Sequence, residues 1–108
     1  MPPSVSPVAR DAAKFLGARI KAARLERGWT VAELAERAQV GRDTIMSVER
    51  GGLRVAVGTV FDCAFLVGVP LFYDDAQRLA AEAARGQAPL LGRRARPVTD
   101  ESDVDLDF

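Results

Sequence analysis

The sequence predicts an all-α fold, a bundle of five helices, and three observations carry that expectation. Apolar residues recur at helical spacing in Leu34, Ala35 and Ala38, and the same period resumes with Ile45 and Val48. Thr30-Val31-Ala32-Glu33 has the form of a capping box: the threonine hydroxyl can accept from the amide three residues on while the glutamate reaches back to the threonine amide. Helix stops then punctuate the chain at Gly28, at Gly51-Gly52 and at Gly68-Val69-Pro70.

Taken in order, residues 1–9, with prolines at 2, 3 and 7, are expected to form a flexible leader. A long first helix begins near Val8 or Arg10 and ends near Arg27-Gly28, where glycine suits a left-handed cap. It sets Phe15, Leu16, Ile20 and Ala23 on one side and leaves Arg19, Lys21, Glu26 and Arg27 largely outside. Arg24 is the exception, turned by its spacing toward the next two helices, where it either pairs with Glu49 or remains, like Glu49, a solvated charge. The second helix opens at Thr30, and the third follows Gln39-Val40-Gly41. Leu53 to Val57 reads as an extended connector. An apolar fourth helix runs from about Val57 to Val67, turning Val60, Cys63, Ala64 and Val67 to the core. Phe61, Phe65 and Leu66 fall on flanking faces, as an interface or under a longer C-terminal helix. Leu71-Phe72-Tyr73 is a short strand or a helix entry, and Asp74 to Arg85 is an Ala-rich helix whose two aspartates favour its N-terminus.

Length and composition narrow the function. A chain of 108 residues accommodates one small domain with tails. The single Cys63 excludes a disulfide within the chain and suggests a reducing, cytoplasmic setting. There is no histidine, so the commonest general base and the commonest metal ligand are missing, and neither an enzyme, a metal site nor a cofactor is expected. No apolar run approaches the roughly 20 residues that span a bilayer, and no membrane association is expected. The formal net charge of zero hides a split. Residues 1–98 hold all 15 basic side chains and 10 of the 15 acidic ones, a net of +5, and the last ten residues carry −5. A basic body is moderate support for a polyanionic partner.

From Gly86 the sequence is punctuated by Gly, Pro and Arg, and residues 87–108 read as a linker and acidic tail. The final Asp103-Val104-Asp105-Leu106-Asp107-Phe108 alternates acid with apolar residues. It suits a peptide that orders on a partner through Val104, Leu106 and Phe108, or else a solubilising tail that stays disordered.

Two helices joined across Gln39-Val40-Gly41 and sharing one buried face form a helix-turn-helix pattern. Arg42, Asp43, Met46, Ser47 and Arg50 then lie on the opposite, solvated side of the second of these, where a helix inserted in a groove presents its reading residues. Periodicity alone equally allows an ordinary helical hairpin with a polar outside.

The residues Leu16-Gly17-x-Arg19-Ile20-x-x-x-Arg24-x-x-Arg27-Gly28-Trp29-Thr30-x-x-Glu33-Leu34-Ala35 and Val40-x-Arg42-x-Thr44-Ile45-x-x-Val48-Glu49-Arg50-Gly51 resemble the Cro/C1-type (XRE-like) helix-turn-helix family over about residues 14–69. The resemblance implies a five-helix lambda-repressor-like bundle, spanning residues 10–70, that binds a palindromic operator in double-stranded DNA as a homodimer. It implies an internal salt bridge between Arg24 and Glu49. Base reading falls on Arg42, Asp43 and Ser47, a phosphate contact on Thr44, and Thr30, Arg50 and Arg54 complete the DNA-binding set. Arg42 can donate two parallel hydrogen bonds to guanine. Asp43 either accepts from cytosine N4 or serves the helix N-terminus. Residues 71–86 supply a C-terminal helix that could carry the dimer contact.

Two positions depart from the family's pattern: Val31 stands where a glutamine usually holds the DNA backbone, and Gln39 stands where the turn usually has glycine. Gln39 must take a left-handed conformation or shift the turn. Val57-Gly58-Thr59-Val60-Phe61-x-x-Ala64-x-x-Val67 and the C-terminal extension resemble HipB-type antitoxins, which implies a repressor of its own operon with a HipA-like serine/threonine kinase toxin as partner. The alternatives are a stand-alone regulator or a mainly protein-binding antitoxin with weak DNA contact.

Overall fold

The computed structural model describes residues 4–91, with side chains for residues 4–86. By internal contacts the chain divides into Met1–Asp74 and Asp75–Phe108. Five α-helices account for the regular structure of the described residues: α1 (Pro7–Glu26), α2 (Val31–Ala38), α3 (Arg42–Glu49), α4 (Val57–Val67) and α5 (Ala76–Leu91). No strand forms among them, so the all-α expectation holds.

Local chemistry sets the starts of α1, α2 and α5. Ser6 caps α1, its Oγ accepting from the Ala9 amide at 3.1 Å, and Pro7 enters the first turn, where no amide is needed. The helix therefore begins inside the segment expected to be a leader. At α2 the capping box is complete: the Glu33 amide donates to Thr30 Oγ1 at 3.0 Å, and the Thr30 amide donates to Glu33 Oε1 at 2.8 Å. Hydrogen bonds from the Thr30 amide and then the Thr30 hydroxyl hold the Glu33 carboxyl below the usual carboxylate range, with a smaller contribution from Arg37. The α2–α3 turn passes through Gln39 at φ 60° and ψ 42°, so the chain accepts a left-handed glutamine and the turn does not shift. Gly28 and Gly68 take the positive φ that ends α1 and α4.

In the first unit α1 packs on α3 and α4, and α2 packs on the same two helices. Ile20, Leu34, Ile45 and Cys63 are fully buried at the centre, with Ala35, Val48, Ala64, Val67 and Val69 around them. Desolvation, followed by the nearby charges of Asp62 and Glu49, pushes the Cys63 thiol up, which keeps it a small apolar core residue. Phe15 departs from expectation: it is 65% exposed. Five residues of helix turn through 500°, or 140° net, so Phe15 cannot share the face of Ile20.

Three further segments differ from the sequence reading. Leu53 to Ala56 forms turns and not an extended connector; the alternating apolar residues have no neighbouring strand to pair with, and Val55 packs instead against the core. Leu71 to Tyr73 is neither strand nor helix entry but a tight reversal, with the Tyr73 amide donating to the Leu71 carbonyl at 2.7 Å and Phe72 at φ 68°. In the second unit Asp75 caps α5, its carboxylate accepting from the Gln77 amide at 2.8 Å. That helix continues through Pro89 to Leu91, into residues expected to be linker. Pro89 removes one helical hydrogen bond near the end of the helix, and the alanine-rich turns before it carry the helix on.

Candidate nucleic-acid interface

The site is built on α3, an eight-residue helix with Gly41 in extended conformation before it and Gly51 at φ 83° beyond it. Ile45 and Val48 bury one side of this rod. Arg42, Asp43, Met46 and Arg50 are exposed on the other, while Thr44 and Ser47 are half-buried. Asp43 lies in the first turn, where a carboxylate complements the partial positive charge of the helix end.

Three contacts fix the first helix against the rod and against the turn before α2. Arg24 is 6% exposed and clasps Glu49 in a two-pronged ion pair, Nε to Oε2 at 2.7 Å and Nη2 to Oε1 at 3.1 Å. Its remaining Nη1 donates to the Trp29 carbonyl at 2.8 Å, so one guanidinium ties α1 to the end of α3 and to the turn before α2. Gly17 supplies the third contact: its Cα sits so near the Val48 and Glu49 carbonyls that a Cβ there would collide with the first and stand 2.9 Å from the second. The sequence reading gave Gly17 no role, although glycine in mid-helix is itself the signal for such an approach.

Beside α3 opens a groove of about 410 Å³, lined by Asp43, Thr44 and Ser47 from α3, Arg54 from the following turns, and Thr59 from the first turn of α4. Gly41 and Ala56, which precede α3 and α4, provide no side-chain cap. The first amides of both helices are therefore available to an outside acceptor, and they give this side of the molecule a partial positive charge. Thr59 was not among the sequence candidates, although Ala56, which has no side-chain oxygen to cap the helix after it, is visible in the sequence.

The expected residues are thus distributed unevenly. Arg42, Asp43, Arg50 and Arg54 are exposed, and the side chains of the three arginines have no ion pair among the described residues. Thr30 is exposed at the start of α2, where its hydroxyl accepts from the Glu33 amide and is hydrogen-bonded to the Glu33 carboxylate. Ser47 is less open than its spacing implies, since its Oγ lies against the Gly52 backbone, where a Cβ would collide with it. Val31 is half-buried and packs against the core, so the position offers a phosphate no polar group. Val104, Leu106 and Phe108 lie outside the described residues.

Arg27 donates from Nε to the Val67 carbonyl at 2.9 Å, and both Arg27 and Arg37 lie over the Trp29 ring, the two guanidinium carbons 5.4 and 4.1 Å from the ring centroid. These contacts occupy the two arginines in holding α1, α2 and α4 together. Among the described residues no group of histidine, cysteine, aspartate or glutamate side chains could hold a metal ion, and no helix is long and apolar enough to cross a membrane.

Residues 16–79 match a family model described as a helix-turn-helix domain. No curated protein and no solved structure gives a significant match.

Proposed function

The chain belongs to the helix-turn-helix domain family, an XRE-like group of DNA-binding regulators, and we propose that it is a sequence-specific repressor that binds a palindromic operator as a homodimer. The observation that carries this reading is the division of α3, which buries Ile45 and Val48 and turns Arg42, Met46 and Arg50 to solvent. In this reading α3 enters the major groove and Arg42 donates two hydrogen bonds to guanine O6 and N7. Thr30, Thr44, Arg50 and Arg54, with the uncapped amides of α4, meet phosphates on either side. Asp43 accepts from cytosine N4 or serves only the helix end, and Ser47 contributes from the wall of the groove. Two-fold pairing would space the half-sites about 34 Å apart.

The test is selection of duplexes from a random pool, followed by titration of the enriched element. Arg42→Ala should weaken binding by about 1–3 kcal/mol and relax the preference at one guanine per half-site. Arg54→Ala should weaken all sequences alike and reduce the salt dependence. Equal operator affinity for Arg42→Ala and wild type at moderate salt would overturn the assignment.

A second function in the same molecule is favoured by the alternating acid and apolar residues 103–108 and by Val31: a cytoplasmic antitoxin of HipB type that represses its own operon and holds a kinase toxin. Removing residues 99–108 should then abolish capture of a kinase encoded beside it while operator binding persists. Retention of the kinase by the shortened chain would sink this second function alone.

A further inference from the structure

We propose that Met46 is a specificity-determining residue of this interface and reads the 5-methyl group of a thymine. The inference rests on the DNA-binding reading above and names part of the sequence that α3 recognises. The outer surface of α3 carries two adjacent rows at a spacing of four residues, Asp43 with Ser47 and Arg42 with Met46, the second continued by Arg50 at the C-cap. The first row is restricted, because Ser47 is half-buried and its Oγ abuts Gly52. All three members of the second row are exposed.

Met46 stands out in that row. It is 44% exposed and takes no part in the packing around the core, yet it is an apolar side chain flanked by two arginines that have no ion pair among the described residues. Core packing therefore does not account for it. In the major groove only thymine presents an apolar group, its C5 methyl, while the other base edges present hydrogen-bond donors and acceptors. A thioether has no proton to donate and accepts only weakly, so it leaves those polar edges unsatisfied and favours the methyl. Its three rotatable bonds let it adapt to the position of the base.

The spacing also locates the base. Four residues of helix advance about 6 Å, against about 3.4 Å per base pair. The thymine lies within about two base pairs of the guanine assigned to Arg42.

The experiment uses the full chain and the element enriched from a random duplex pool. Each thymine is replaced singly by deoxyuridine, which removes only the methyl, and each duplex is titrated with wild type, Met46→Ala and Met46→Leu. Wild type and Met46→Leu should lose about fourfold in affinity at one thymine per half-site, the value of one buried methyl. Met46→Ala should bind the thymine and deoxyuridine duplexes equally at that position. Matching thermal unfolding of the three proteins should accompany this, since Met46 is exposed. The inference is overturned if wild type tolerates deoxyuridine everywhere, or if Met46→Ala keeps the wild-type sensitivity. A pool from which no element is enriched overturns instead the DNA-binding reading on which it depends.

Discussion

Replacing Glu49 by leucine should remove a large part of the stability of the first unit. Arg24 and Glu49 have side chains only 7% and 6% exposed, and the guanidinium reaches both carboxylate oxygens. Losing the carboxylate leaves a buried cation without its counter-charge, a change that costs about 3–5 kcal/mol. At about 0.05–0.15 kcal/mol per residue, a unit of roughly 70 residues is stable by only about 4–10 kcal/mol. The double variant Arg24→Met with Glu49→Leu removes both charges together. It should recover most of the loss, retaining a deficit of about 1 kcal/mol because the Trp29 carbonyl no longer receives Nη1. Urea unfolding at pH 7, followed by far-ultraviolet circular dichroism on the wild type, both single variants and the double variant, completes the cycle. A loss under about 1 kcal/mol for Glu49→Leu would match a solvated surface pair and refute the assignment of a buried clasp. So would a double variant as unstable as the sum of the singles.

Three other outcomes can be measured in the same way. Gly17→Ala places a methyl group against the Val48 and Glu49 carbonyls and should cost about 1–3 kcal/mol, visible as a fall in Tm of roughly 5–20 °C; an unchanged Tm would show that the helices do not approach so closely. Gln39→Gly should stabilise the protein by about 0.5–1 kcal/mol, because relief of a left-handed side chain outweighs the added freedom of glycine in the unfolded state, and a lower Tm would contradict the observed turn. The hydrogen bonds from Thr30 depress the folded pKa of Glu33. That contribution is complete above the ordinary glutamate pKa and is lost as pH falls through the lower folded value. Stability of wild type relative to Glu33→Gln should therefore decline between about pH 5 and pH 3, and a difference independent of pH would show that the carboxylate does not close the box.

What was legible in the sequence was what neighbouring residues determine. Thr30 and Glu33 cap α2 three residues apart, Gly28 and Gly68 end their helices with positive φ, and Ile45 and Val48 mark one face of α3 within a single turn. Features that depend on distant packing were harder to read. The collision that reserves Gly17 for glycine comes from carbonyls more than thirty residues away, and Arg27 reaches the end of α4 across forty. Phe15 was misplaced because adjacent apolar residues were assigned to one face that the helical turn separates. Gly86 and Pro89 look like linker punctuation, but α5 runs through both to Leu91, since one absent amide does not outweigh the helix-forming run before it. At the candidate site, spacing selected the exposed arginines but could not detect that the loop at Gly52 crowds Ser47.

These differences define how the interface is built. The residues assigned to base reading sit on one side of a rod only eight residues long, and a helix of that length has little stability of its own. Its direction is therefore set by contacts on its other side: Ile45 and Val48 in the core, the Val48 and Glu49 carbonyls against Gly17, and the Glu49 carboxylate in the grip of Arg24. None of those groups faces the groove. Substitutions among them should alter stability and operator affinity together, because a rod that tilts carries every reading side chain with it. Substitutions at Arg42 or Met46 should alter affinity and sequence preference while leaving the unfolding transition in place. Separation of variants into these two classes would follow from the arrangement of α3 itself, whichever operator the protein binds.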